Sequence, residues 1–267
     1  MSETLSEKNV RFVEFYEDLI ESAISPPNRR QQGLQSKVLL ATIFDSLSKS
    51  GVNKSGVKIQ ENRLRFTATL EQHTTWLDRE RVSLLHLVRA FELEKKPTPL
   101  FDSVRAWAES NFANNFPLSK RLLSNDSAIA RDPLLSEVQA LWPRQASGLP
   151  QSFGSLRKPE DLQHKNLFWL YRNSLVHEFR IPGQGMEQTT VLETEPYYQE
   201  VSTIIGLEYG ARLKYTKNWE LVYPTGFFHR LTLEALARIS TLHIESNSSP
   251  FDDYSQGTYW LPAFNEC

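Results

Sequence analysis

The sequence predicts a mainly all-α protein with a small β-hairpin accessory. Three observations predict it. Apolar residues recur at three- and four-residue intervals through most long segments. Prolines and glycines fall between those segments. Only 195–224 is rich in aromatic and β-branched residues around a short polar break. The 267 residues suffice for a sizeable core, and 40% are hydrophobic against 23% charged, as in ordinary globular chains. A net charge of −2 gives no global attraction to nucleic acid or anionic membrane, so any RNA contact must use a local basic patch. The sole cysteine, Cys267, excludes an internal disulfide framework and a Cys-rich zinc site, and fits a reducing compartment. No apolar leader or 18-residue apolar run occurs, so the expectation is a cytoplasmic protein without a membrane partner.

In order, 10–25 reads as a helix with Val13, Tyr16 and Ile20 on one side, ended by Pro26 and Pro27. A second, 34–50, buries Leu40, Ile43, Phe44 and Leu47 and places Asp45 off that stripe, as a surface or supporting residue. The segment 52–69 breaks the pattern and reads as a hairpin or extended loop. Asp78 is expected to cap a helix over 79–93, with Val82, Leu85, Val88 and Leu93 inward. After Lys95-Lys96-Pro97, 101–112 is helical, and 115–158 alternates helical scraps with prolines as an irregular cover. Pro159, Glu160 and Asp161 open a helix that ends before Pro182. Of the remainder, 197–209 could be strand or helix by length alone. ARLKY-TKN-WELVYP reads as a hairpin turning at TKN, and 227–245 as a closing helix. The division expected is one helical domain over 1–250 with insertions at 115–158 and 195–224, then a packed tail over 251–267.

Function points to 166–182, NLFWLYRNSLVHEFRIP. At about 100° per residue, Phe168, Tyr171, Leu175 and Phe179 form a core stripe, and Asn173 and His177 share the face turned away from it. Arg172 lies near the stripe's edge, with a side chain long enough to snorkel outward. The Arg-x4-His spacing alone decides little. With 18 Arg and 6 His, about 0.4 matches are expected by chance, and three occur: Arg81–His86, Arg172–His177 and Arg238–His243. Asn173 distinguishes the middle one, because the other two run through denser apolar stretches that suit structural histidines.

YRNSLVHE at 171–178 resembles the signature of the HEPN superfamily, an Arg followed after four to six residues by His, commonly with a polar residue directly after the Arg. The order of helices is similar over roughly 10–245. The resemblance implies a helical bundle and a metal-independent endoribonuclease whose site forms where motif helices meet in a homodimer. His177 would then be general acid/base, Arg172 would stabilise phosphate charge, and Asn173 would orient the histidine or a phosphate oxygen. RNA supplies its own 2′-hydroxyl nucleophile, so no cofactor or metal is implied. Further implied are a toxin or defence role and a cognate inhibitor or regulatory protein. The alternative is a non-catalytic dimeric or nucleotide-binding module. Within one straight helix, Arg172 and His177 lie about 140° apart, which favours pairing them across a dimer. GQG at 183–185 follows its helix and reads as a turn, not a phosphate loop.

Overall fold

The computed structural model describes residues 3–25, 32–51, 61–94, 98–115, 129–154, 158–183, 194–208, 212–252 and 254. It is mainly helical, with one two-stranded antiparallel sheet. The helices are α1 Leu5–Ile24, α2 Gln32–Ser50, α3 Asn62–His73, α4 Leu84–Leu93, α5 Asp102–Asn115, α6 Leu135–Leu141, α7 His164–Glu178 and α8 Thr225–Glu245; the strands are β1 Tyr197–Glu208 and β2 Arg212–Val222. Among the described residues no helix is long and apolar enough to cross a membrane. The chain gathers into two compact units, one of Met1–Thr75 with His229–Cys267 and one of Trp76–Phe228.

In the first unit, α1 starts at a capping box. Thr4 accepts from the Glu7 amide, and the Glu7 carboxylate accepts from the Thr4 amide. Phe12, Tyr16, Ile20 and Ala23 of α1 are buried at helical spacing, with Leu40, Phe44 and Leu47 of α2. The segment expected to be extended near 62–69 is the helix α3. Its threonines tolerate that because Thr67 and Thr69 donate to the carbonyls of Arg63 and Arg65, while Phe66 and Leu70 are fully buried and Phe66 meets the Phe44 ring at 4.9 Å. Packing overrides β-propensity there. The rest of the stretch, 52–60, lies outside the described residues, as does the tail beyond 254. Tyr254 itself packs, its hydroxyl 2.8 Å from that of Tyr16. His243, the histidine of the third Arg-x4-His match, is buried between Ser50 and Ser248. Asp45 is half-buried in α2.

In the second unit, Asp78 does not cap a long helix. Residues 77–80 form a 3-10 turn, Asp78 accepts from Arg81, and α4 begins at Leu84 behind the N-cap Ser83. The buried stripe of α4 is therefore Leu84, Leu85, Leu87 and Phe91, and Leu93 is exposed. The expected helix from Pro159 is likewise split. Residues 159–162 form a 3-10 turn, and Gln163 turns extended, its side chain donating to the Glu80 carbonyl. The amide of His164 goes to the Arg81 carbonyl, so α7 starts only there. Between them, 129–154 contributes the short helix α6 to the stretch expected to be irregular.

The hairpin differs in register from the expectation. TKN at 216–218 lies inside β2, opposite Val201 to Thr203. Two segments of nearly equal length pair end to end, Tyr197 with Val222 and Glu208 with Arg212, with an irregularity at Ile204/Gly206. That pairing satisfies far more backbone groups than a turn at TKN would.

Candidate functional site

α7 is anchored by an aromatic cluster. Phe168 lies 5.7 Å from Trp76, 4.9 Å from Tyr223 and 4.7 Å from Phe228 between ring centroids, and Tyr171 lies 5.1 Å from Tyr223. Phe168, Tyr171 and Leu175 are buried, as their spacing requires. Phe179 is not. It occupies the C-cap in the left-handed region, φ 51°, and is 69% exposed, because the helix has ended and the stripe no longer continues.

The three site residues are brought together within one chain. The Arg172 guanidinium donates from Nη1 to Asn173 Oδ1 at 3.0 Å, and the same nitrogen lies 3.5 Å from His177 Nε2. Its carbon sits 5.0 Å above the Trp169 ring, a cation–π arrangement. Two sequence expectations are corrected here. Arg172 does not snorkel to solvent but is 7% exposed, because Trp169 offers it a face beside Asn173. The 140° separation along the helix is bridged by the length of the arginine, so one chain unites Arg172 with His177 without a second copy. His177 is exposed, Asn173 half-buried, and Leu170 beside them is 54% exposed. The site is thus an ordered guanidinium under an exposed imidazole, edged by Leu170 and Phe179. Such a pairing can hold an anion and exchange a proton next to it.

A second, buried polar cluster in this unit was not read from the sequence. Asp132 and His164 are fully buried and meet at 2.7 Å between Oδ2 and Nε2. Tyr198 donates to the same Oδ2 at 2.5 Å, and the Leu84 amide donates to Oδ1 at 3.1 Å, at the N-terminus of α4 where a carboxylate is favoured. Ser83 Oγ lies 2.7 Å from the Tyr198 hydroxyl and 2.9 Å from His86 Nδ1. Burial, reinforced by the Asp132 charge, pushes the Tyr198 hydroxyl well above the usual tyrosine range. Four segments far apart in sequence meet here, so neither motif nor periodicity announced it. The polar Asp132 beside Pro133 and the histidine opening α7 were the available traces. Among the described residues no three His, Cys, Asp or Glu side chains group so as to hold a metal ion.

No protein-family model, curated protein or solved structure matches this chain.

Proposed function

We propose that the protein is a HEPN-type, metal-independent endoribonuclease that acts as a homodimer through the exposed face of α7. The observation that supports this most is the convergence of Arg172, Asn173 and His177 at the exposed end of one helix. A ribonuclease needs little more, because the RNA carries its own nucleophile. His177 takes the 2′-hydroxyl proton, or returns one to the 5′-oxygen leaving group, from a solvent-facing position. Arg172 offers phosphate a fork of donors, and its stacked, hydrogen-bonded setting preorganises it for the charge that builds on phosphorus. Asn173 fixes the guanidinium. The products are a 2′,3′-cyclic phosphate and a 5′-hydroxyl. A cytoplasmic toxin or defence effector with a cognate inhibitor fits this chemistry.

The dimer reading now rests on the apolar fringe, Leu170 and Phe179, and not on the need to unite Arg172 with His177. Purified protein should cut RNA in EDTA, His177→Ala should not, and Leu170→Asp should yield a folded monomer with reduced cutting. Undiminished cutting by His177→Ala removes this site from the reaction. A dimer that never cuts RNA, and whose wild-type and His177→Ala forms allow equal bacterial growth, favours the non-catalytic module.

A further inference from the structure

Beside α7, within the same unit, lies a cavity of about 290 Å³ whose wall includes His86, Arg89, Tyr171, Ser174, Trp219 and Glu220. That is near the low end of the volumes typical of small-ligand sites. The Arg172–His177 pair does not line it, so its chemistry is separate.

The buried cluster determines which hydrogen-bonding face His86 turns to this cavity. Tyr198 has one hydroxyl hydrogen and gives it to the Asp132 carboxylate, which can only accept. The close contact between Tyr198 and Ser83 must therefore use the serine hydrogen, with the tyrosine oxygen accepting. Ser83 has then spent its own hydrogen, so the contact with His86 Nδ1 must use a hydrogen carried by the imidazole. His86 is held as the Nδ1–H tautomer, so its other ring nitrogen, Nε2, is an acceptor on a residue that lines the cavity. Burial, with the nearby charges of His164 and Arg89, lowers its pKa to about 4, in keeping with a neutral ring. A second acceptor on the wall is the Glu220 carboxylate. The φ +83° turn at Gly183 packs so tightly against it that a Cβ there would stand 2.8 Å from its oxygen. Trp219 and Tyr171 supply aromatic surface.

An aromatic slot that sets two accepting groups, His86 and Glu220, beside the donor Arg89 suits a flat ligand whose adjacent N–H donors stand next to a carbonyl. We propose that this cavity binds a guanine-type edge, a ring N–H next to an exocyclic amino group, with His86 Nε2 as an accepting atom and Trp219 as a stacking surface. The edge can belong to a free small molecule (a guanine nucleoside or a pterin) or to a base within an RNA strand. Only the second source rests on the ribonuclease reading.

The test titrates full-length protein in EDTA with guanosine, neopterin, uridine, and short oligonucleotides of uridine with or without one guanosine, following tryptophan fluorescence and calorimetry. The guanine-type ligands should bind at least tenfold more tightly than their uridine counterparts. His86→Phe and His86→Gln should lose most of that preference, and His177→Ala should keep it. Binding of the free compounds alone names a small molecule as the ligand, and binding of the guanosine oligonucleotide alone names RNA. Retained binding with no cutting by wild type leaves this site standing and removes the ribonuclease reading. Equal binding of guanine-type and uridine ligands overturns the proposal, as does unchanged preference in both His86 variants. Nitrogen NMR of the His86 ring gives a folding-independent check on the wild type: a protonated Nε2 in the free protein also overturns it.

Discussion

The two ends of α7 set histidines in opposite surroundings. At the first residue, His164 is enclosed, its Nε2 2.7 Å from Asp132, in a cluster that ties together 81–84, 132–134, α7 and β1. At the far end, His177 faces solvent, and only its arginine neighbour is buried. A buried histidine with fixed partners serves stability, since each partner would be left unpaired by its loss. An exposed one next to a fixed cation can gain and lose a proton without disturbing the fold, which is what general acid–base chemistry requires. Removing each end should therefore give opposite patterns of activity and stability.

The largest effect is expected on activity at the exposed end. His177→Ala should lower the cleavage rate by about 10²–10⁴-fold, the usual contribution of general acid–base catalysis. Its unfolding free energy, measured in urea, should stay within about 0.5 kcal/mol of wild type, as for other exposed positions. Arg172→Ala should lose both cleavage and stability, because it empties the place over Trp169. A His177→Ala protein that unfolds early would erase the contrast between the two ends.

At the enclosed end the order inverts. Asp132→Ala leaves His164, Tyr198 and the Leu84 amide without their shared acceptor, and should cost about 3–5 kcal/mol, at about 1–3 kcal/mol for each buried donor left unpaired. Urea unfolding measures it. A loss below about 1 kcal/mol would mean that the cluster is not what holds these segments.

Acid should sharpen the same distinction. Burial lowers the pKa of His73 in the first unit and of His86 in the second to about 4, with nearby positive charges adding to the effect. Both folded values lie below the unfolded value near 6.5, so the unfolded chain takes up these protons first. Their contribution is complete above about pH 6.5 and is lost as pH falls from there towards 4. Buried His73 accounts for at most about 3 kcal/mol of it, at about 1.4 kcal/mol per unit. Unfolding free energy measured between pH 7 and 4 should fall, and the fall should shrink in His73→Phe. A flat profile over that window would contradict both shifted values.

Much of this was legible in the sequence where a single stripe decided the outcome. Phe168, Tyr171 and Leu175 face the core because their spacing leaves no other choice, and Asn173 and His177 fall away from it for the same reason. What could not be read depended on partners distant in the chain. Thr67 and Thr69 look β-prone until their hydroxyls meet the preceding turn. TKN looks like a turn until a strand of equal length pairs across it. Arg172 and His177 look too far apart until Trp169 steers the guanidinium. His86 looks structural because its sequence neighbours are apolar, and only Ser83, Tyr198 and Asp132 together fix the tautomer that makes it a candidate ligand contact.

The smallest expected effect is also the one that separates folding from assembly at the exposed end. Phe179 holds a left-handed backbone, φ 51°, with its ring 69% exposed. Glycine is favoured at such a helix end, and a side chain there costs about 1 kcal/mol. An aromatic residue kept in a strained position with its ring in solvent is explained if the ring packs against a second copy of the chain. Phe179→Gly should then raise the stability of the isolated chain by about 1 kcal/mol and, at the same time, weaken the dimer in sedimentation. The two readouts move in opposite directions only if Phe179 is a contact. A more stable chain with undiminished self-association would leave Leu170 as the sole support for the dimer face, and a less stable chain would mean that the ring already packs within its own protomer.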